Sequence, residues 1–170
     1  MSCRPALLLA LVAMAALAGC ESTARPAACP GTAVATLKFV GTLDTDGGTC
    51  EAVPDGGISF TGTIAYDSSG VAYLCPDRAE ATPLAGQLTG DHLTLAANPV
   101  AVTLDACGCA LTVTETLVGD VLRADGGAAG FSGELSDALA PADGGTGCEP
   151  DGGTTCGVPC TARWQLTGTR

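Results

Sequence analysis

Beyond residue 30, apolar side chains recur at every second position, and this spacing restricts the fold more than any other feature. Leu37, Phe39 and Leu43 alternate with Thr36, Lys38, Val40 and Thr42, and Ile58, Phe60, Ile64 and Tyr66 alternate with Ser59, Thr61, Thr63 and Ala65. Successive residues of a strand point to opposite faces, so each stretch carries one apolar and one polar face and reads as a half-buried strand. The same alternation marks Val71 and Tyr73, Leu84 and Leu88, Leu93 and Leu95, Val100 to Leu104, Leu111 to Leu117, Phe131 and Leu135, and Trp164 and Leu166. No stretch beyond the first twenty residues sustains the 3.6-residue period of a helix, and the pattern predicts nine or ten short strands.

The links between the strands point to a meander. Gly90-Asp91 and Gly119-Asp120 each read as a two-residue type II′ hairpin turn, with glycine taking the positive φ. Glycine also recurs on the apolar face, at Gly41, Gly62, Gly86 and Gly133, each between two flanking apolar residues. Removing side-chain bulk from the inner face of a sheet marks bends of the kind found at barrel corners. The expected fold is all-β: an antiparallel meander closing into a barrel or strongly curved sheet, stapled by disulfides, with a β-sandwich as the alternative. Ser136 to Cys160 holds three prolines, three cysteines and two Asp-Gly-Gly units without strand alternation, so residues 136–160 are expected to form a long loop.

The amino terminus has a different character. Arg4 precedes an uninterrupted apolar run, Ala6 to Ala18. As a helix that run spans about 20 Å, short of the roughly 30 Å hydrocarbon core, which suits a cleaved export signal better than a permanent span. It ends in Leu17-Ala18-Gly19-Cys20. This resembles the lipobox of bacterial lipoproteins, in which small residues precede a cysteine that is lipidated and becomes the new amino terminus. The resemblance implies a signal peptide over 1–19, lipid on Cys20, and a lipidated amino terminus and short tether over 20–28, leaving one domain over 29–170. A stable anchor requires more than one acyl chain, at about 0.8 kcal/mol per buried methylene, and bacterial lipoproteins carry two or three. Glu21 follows Cys20 where enteric-type sorting retains proteins bearing Asp, so the expected location is the outer membrane, facing the periplasm or the exterior. The mature chain carries six basic and eighteen acidic residues, a side-chain charge of -12, and is held off anionic headgroups.

With Cys3 in the signal and Cys20 on lipid, eight cysteines remain: Cys29, Cys50, Cys75, Cys107, Cys109, Cys148, Cys156 and Cys160. In an oxidising compartment an even number reads as a disulfide framework, and the pairing is not deducible from spacing. Cys107-Gly108-Cys109 and Cys156 to Cys160 lack nearby histidine and the paired spacing of a zinc ribbon, so no metal is assigned. Asp-Gly-Gly begins at Asp46, Asp55, Asp125, Asp143 and Asp151 without a fixed period, which suits turns and loop tips better than calcium repeats. The mature domain resembles cysteine-rich, Asp-Gly-Gly-studded bacterial lipoproteins, a likeness that concerns location and not activity.

The acidic balance leaves no basic surface for nucleic acid. No nucleophile motif, metalloprotease motif or phosphate-binding glycine loop is present, and the single histidine, His92, follows a hairpin turn as an exposed strand residue. Carboxylate pairs hydrolyse glycosides without a sequence signature, and Glu115 and Glu134 both fall in strand patterns, Glu115 in the apolar register of Leu111, Val113 and Leu117. With no catalytic residue or cofactor assigned, the expected function is non-catalytic: a membrane-anchored structural or interaction module of the cell envelope that meets a protein partner. The alternative is a lipocalin-like carrier of a small apolar ligand.

Overall fold

The computed structural model describes residues 28–44, 50, 57–78, 81–104, 109–125, 127–142 and 157–170. The alternating stretches become strands β1 (Thr32–Leu43), β2 (Ile58–Tyr66), β3 (Ala72–Pro76), β4 (Leu84–Thr89), β5 (His92–Ala96), β6 (Val100–Leu104), β7 (Cys109–Ala124), β8 (Gly127–Pro141) and β9 (Cys160–Thr169). All pairings are antiparallel, in the order β5-β4-β3-β2-β1-β9-β8-β7-β6. A further ladder from His92↔Asp120 to Ala96↔Thr116 joins β5 to β7 and closes an eight-stranded barrel, to which β6 is the extra strand.

Closure follows from the length of β7. Its carboxy-terminal half pairs with β5 and its amino-terminal half with β6, so β5 and β6 lie in succession along one flank of the same strand. Between Ala96↔Thr116 and Val100↔Val113 the β5–β6 side holds one more residue than β7, and Pro99 there has no N–H to add to the ladder. The Ala97 N–H still donates to the Glu115 carbonyl at 2.8 Å, so the ladder is interrupted at Asn98 and Pro99, beyond which β6 pairs with β7 as the extra strand.

Two expectations are corrected. Gly119-Asp120 is not a turn, because β7 runs through both residues, paired to β8 as Gly119↔Gly133 and Asp120↔Ser132. The glycine serves packing instead: a Cβ on Gly119 would strike the Ser132 carbonyl oxygen and stand 2.6 Å from both Gly133 Cα and Phe131 Cζ, and one on Gly133 would strike the Val118 carbonyl oxygen and stand 2.6 Å from Gly119 Cα and 2.8 Å from Phe131 Cζ. The opposed glycines let the β7 and β8 backbones approach closely and leave room for that ring beside them. The reversal lies at Asp125, whose φ is 49°, between Ala124 and Gly127. Nor does the long connection begin at Ser136, since β8 pairs with β7 as far as Pro141 and with β9 as far as Leu139. By contrast, Gly90-Asp91 does link β4 to β5 tightly, with Gly90 at a φ of 65° between Thr89↔His92.

An eight-stranded barrel is just wide enough for its own side chains to fill. Phe39 stacks on Phe60 at 5.0 Å between centroids and meets Phe131 edge-on at 5.8 Å. Leu37, Ile64, Leu74, Leu84, Leu93, Leu95, Leu117 and Leu166 are fully buried around them, each burial worth about 1.5–3 kcal/mol. A second, smaller cluster of Leu111, Leu139, Val158 and Cys160 sits beyond this core.

The barrel has unlike ends. At one, β2–β3, β4–β5 and β7–β8 are joined by short turns. The β2–β3 turn is closed by the Asp67 carboxylate, which accepts from the Ser69 N–H (2.8 Å), the Ser69 hydroxyl (2.6 Å), the Val71 N–H (3.0 Å) and the Tyr73 hydroxyl (2.9 Å). Those bonds, the Ser69 hydroxyl's foremost, hold the Asp67 carboxyl down at about 2. At the other end lie the connections β1–β2, β3–β4, β6–β7 and β8–β9. Two disulfides staple the wall: Cys29 to Cys75 of β3, and Cys50 of the β1–β2 connection to Cys160 at the start of β9.

Candidate functional site

At the end bearing the long connections, the departure of β6 opens a cleft of about 260 Å³. Ala81 and Thr82 from the β3–β4 connection form one side, Asn98, Val100 and Val102 the other, and Ala97, Val113, Glu115 and Asp137 line it from β5–β6, β7 and β8, with Arg78 beside them. The acids occupy inward register positions. Glu115 falls between Val113 and the buried Leu117, and Asp137 between the buried Leu135 and Leu139. They are paired directly across the β7–β8 ladder, which sets their Cβ atoms about 4.5–5.5 Å apart. An acidic step thus separates the main core from the smaller cluster of Leu111 and Leu139.

Like charges facing each other across a ladder are unfavourable, and a single cation moderates them here. Arg78 Nη2 donates to both carboxylate oxygens of Glu115, at 3.2 and 3.0 Å, while the guanidinium lies 5.6 Å from the centroid of the Phe60 ring. Asp137 has no such partner: its Oδ1 is buried and makes no hydrogen bond. Burial raises the Glu115 carboxyl against the opposing pull of Arg78. Burial, and next the charge of Glu115, push Asp137 up to about 6, opposed by Arg78. The arrangement presents one engaged and one available carboxylate, the second close to its protonation midpoint at mildly acidic pH.

Glu115 faces inward as its register indicates. Glu134 does not join it, because it stands one register step out of phase, on the outer face, 3.9 Å from Arg163. His92 is exposed and lies 3.0 Å from Asp120 Oδ1 across the β5–β7 ladder. Of the cysteines, Cys29, Cys50, Cys75 and Cys160 are in disulfides, while Cys20, Cys107, Cys148, Cys156 and the side chain of Cys109 lie outside the described residues. Among the described residues no three His, Cys, Asp or Glu side chains are grouped to hold a metal.

Sequence reasoning missed Asp137 and Arg78. Leu135, Asp137 and Leu139 do alternate, a signal obscured by reading everything from Ser136 as loop. Nothing local marks Arg78, whose role depends on a strand 37 residues away. Comparison with protein-family models, curated proteins and solved structures finds no match for this chain.

Proposed function

We propose that this chain is a lipid-tethered, non-catalytic module of the bacterial envelope, held at the outer membrane by Cys20 and presenting one acidic barrel end to a cationic protein partner on the periplasmic or outer side. The observation that carries this reading is the polarity of the barrel. The connections β1–β2, β3–β4, β6–β7 and β8–β9 all leave from one end. Their sequences contain Asp44, Asp46, Glu51, Asp55, Asp77, Glu80, Asp105, Asp143, Glu149 and Asp151 against Arg78 as the lone basic residue. Connections whose sequences are this acidic favour a partner of the opposite sign, whose association such charge steers and speeds. The disulfides fit an oxidising compartment, and the lipobox fits attachment there. The carrier alternative has less support, since aromatic and leucine side chains occupy the space an enclosed ligand would need.

Site-specific photo-crosslinking in intact membranes tests the display role. A crosslinking residue at Asp77, exposed at the connection-rich end, is expected to give protein adducts that weaken as salt rises, whereas one at Asp125, at the turn end, gives few. Adducts from Asp125 alone, or salt-independent adducts of equal yield from both, would overturn the reading.

A further inference from the structure

Beyond display, we infer that the cleft beside β6 is a binding site for a primary ammonium group on a short methylene chain, carried by a free alkylamine or by a lysine side chain. The cleft has the two parts such a ligand requires. Its walls include the apolar side chains of Ala81, Ala97, Val100, Val102 and Val113, and its lining includes the carboxylate of Asp137. Because Glu115 is taken up by Arg78, the carboxylate left over on the cleft wall is that of the half-buried Asp137. An ammonium donor at that carboxylate makes a charge-assisted hydrogen bond, roughly twice as strong as a neutral one. Asn98 and Thr82, also on the wall, add side-chain oxygens for the remaining N–H groups.

The same geometry disfavours other ligands. A divalent ion asks for six or more oxygens, and this cleft offers one unengaged carboxylate. An anion would have to take Arg78 from Glu115 and lie against Asp137. A volume of about 260 Å³ holds roughly nine waters, enough for a four-carbon ammonium and too little for a large cofactor.

The single tryptophan supplies the readout. Trp164 is 4% exposed on β9, two register positions from Asp137, since Leu135 pairs with Trp164 and Asp137 with Ala162. Butylammonium is titrated into the oxidised protein bearing its whole mature chain, followed by Trp164 fluorescence and by calorimetry, with butanol and butanoate alongside. Saturable binding of butylammonium on the order of 1 mM is expected, with both controls at least about tenfold weaker. Asp137→Asn, which keeps the shape and removes the charge, should weaken butylammonium by about tenfold or more. Val102→Trp, at the cleft wall, should abolish it by filling the space while leaving the unfolding transition intact. Nα-acetyl-lysine methylamide and 1,4-diaminobutane then separate the two sources, tighter binding of the first assigning a protein side chain and of the second a free amine. Equal affinity for butylammonium and butanol, full retention of binding by Asp137→Asn, or absence of saturation would overturn the assignment. Persistence of salt-sensitive crosslinks at Asp77 in that event would leave the display role standing by itself.

Discussion

Replacing Asp137 by asparagine should make the protein more stable at neutral pH, because the native fold holds this carboxyl where it resists ionisation. Its midpoint is displaced from 3.8 to about 6, first by burial and then by the facing Glu115, with Arg78 pulling the other way. The folded state therefore binds the Asp137 proton more tightly than the unfolded chain does. The resulting stabilisation is fully present below the unfolded midpoint near 3.8 and is lost as pH rises through about 6. At about 1.36 kcal/mol per unit the ionised side chain costs the fold up to about 3 kcal/mol at pH 7 and above. Asparagine cannot ionise and keeps the volume and a carbonyl acceptor. Urea unfolding of the two oxidised proteins at a series of pH values gives the comparison. The curves should nearly coincide around pH 4 and diverge through about pH 6, with Asp137→Asn the more stable by up to about 3 kcal/mol at pH 8. Glu115 and Arg78 are present in both proteins, so the difference reports Asp137 together with its coupling to them. Parallel curves, or an Asp137→Asn protein less stable at neutral pH, would refute the reasoning.

Three further outcomes are expected. Gly119→Ala drives a methyl group into the Ser132 carbonyl oxygen and to 2.6 Å from Gly133 Cα and Phe131 Cζ, and should lower stability by about 1–3 kcal/mol in urea unfolding, whereas a neutral effect would mean that β7 and β8 do not need glycine to pack this closely. The double change Cys50→Ala and Cys160→Ala opens a crosslink between residues 110 apart and should cost about 2–5 kcal/mol, read as a lower urea midpoint that reductant no longer shifts through this bond. Asp67→Asn should weaken the β2–β3 turn at neutral pH, and since the native carboxyl is held down at about 2, the deficit should close as pH falls from about 4 toward 2; a pH-independent difference would assign it to another cause.

The strands were legible because the barrel's two faces meet different surroundings. Leu37 and Phe39 are buried while Lys38 and Val40 are exposed, and that contrast is written residue by residue. Closure was only suggested, because the β5–β7 ladder joins segments that their own alternation cannot pair. Gly119-Asp120 misled for a related reason. Glycine before aspartate suits a tight turn, but here the requirement comes from the partner strand a dozen residues on, where the Ser132 and Gly133 backbone and the Phe131 ring leave no room for a Cβ. At the cleft, the register of Glu115 was readable from Leu111, Val113 and Leu117, yet its environment was not: the ion pair depends on Arg78, and the facing acid on the extension of β8 beyond Ser136. Two of the disulfides also had to come from space, since Cys29–Cys75 and Cys50–Cys160 interleave in the sequence and no spacing rule selects them.

The account rests most heavily on attachment through Cys20, and a combined mass and fractionation measurement tests it directly. The full chain and its Cys20→Ala variant are expressed in a Gram-negative host, separated into membrane and soluble fractions, and measured intact. The account predicts a wild-type chain in the membrane fraction that begins at Cys20 and carries the added mass of two or three acyl chains, with the variant released from the membrane. A wild-type chain of unmodified mass in the soluble fraction, or a Cys20→Ala chain still held at the membrane, would contradict it.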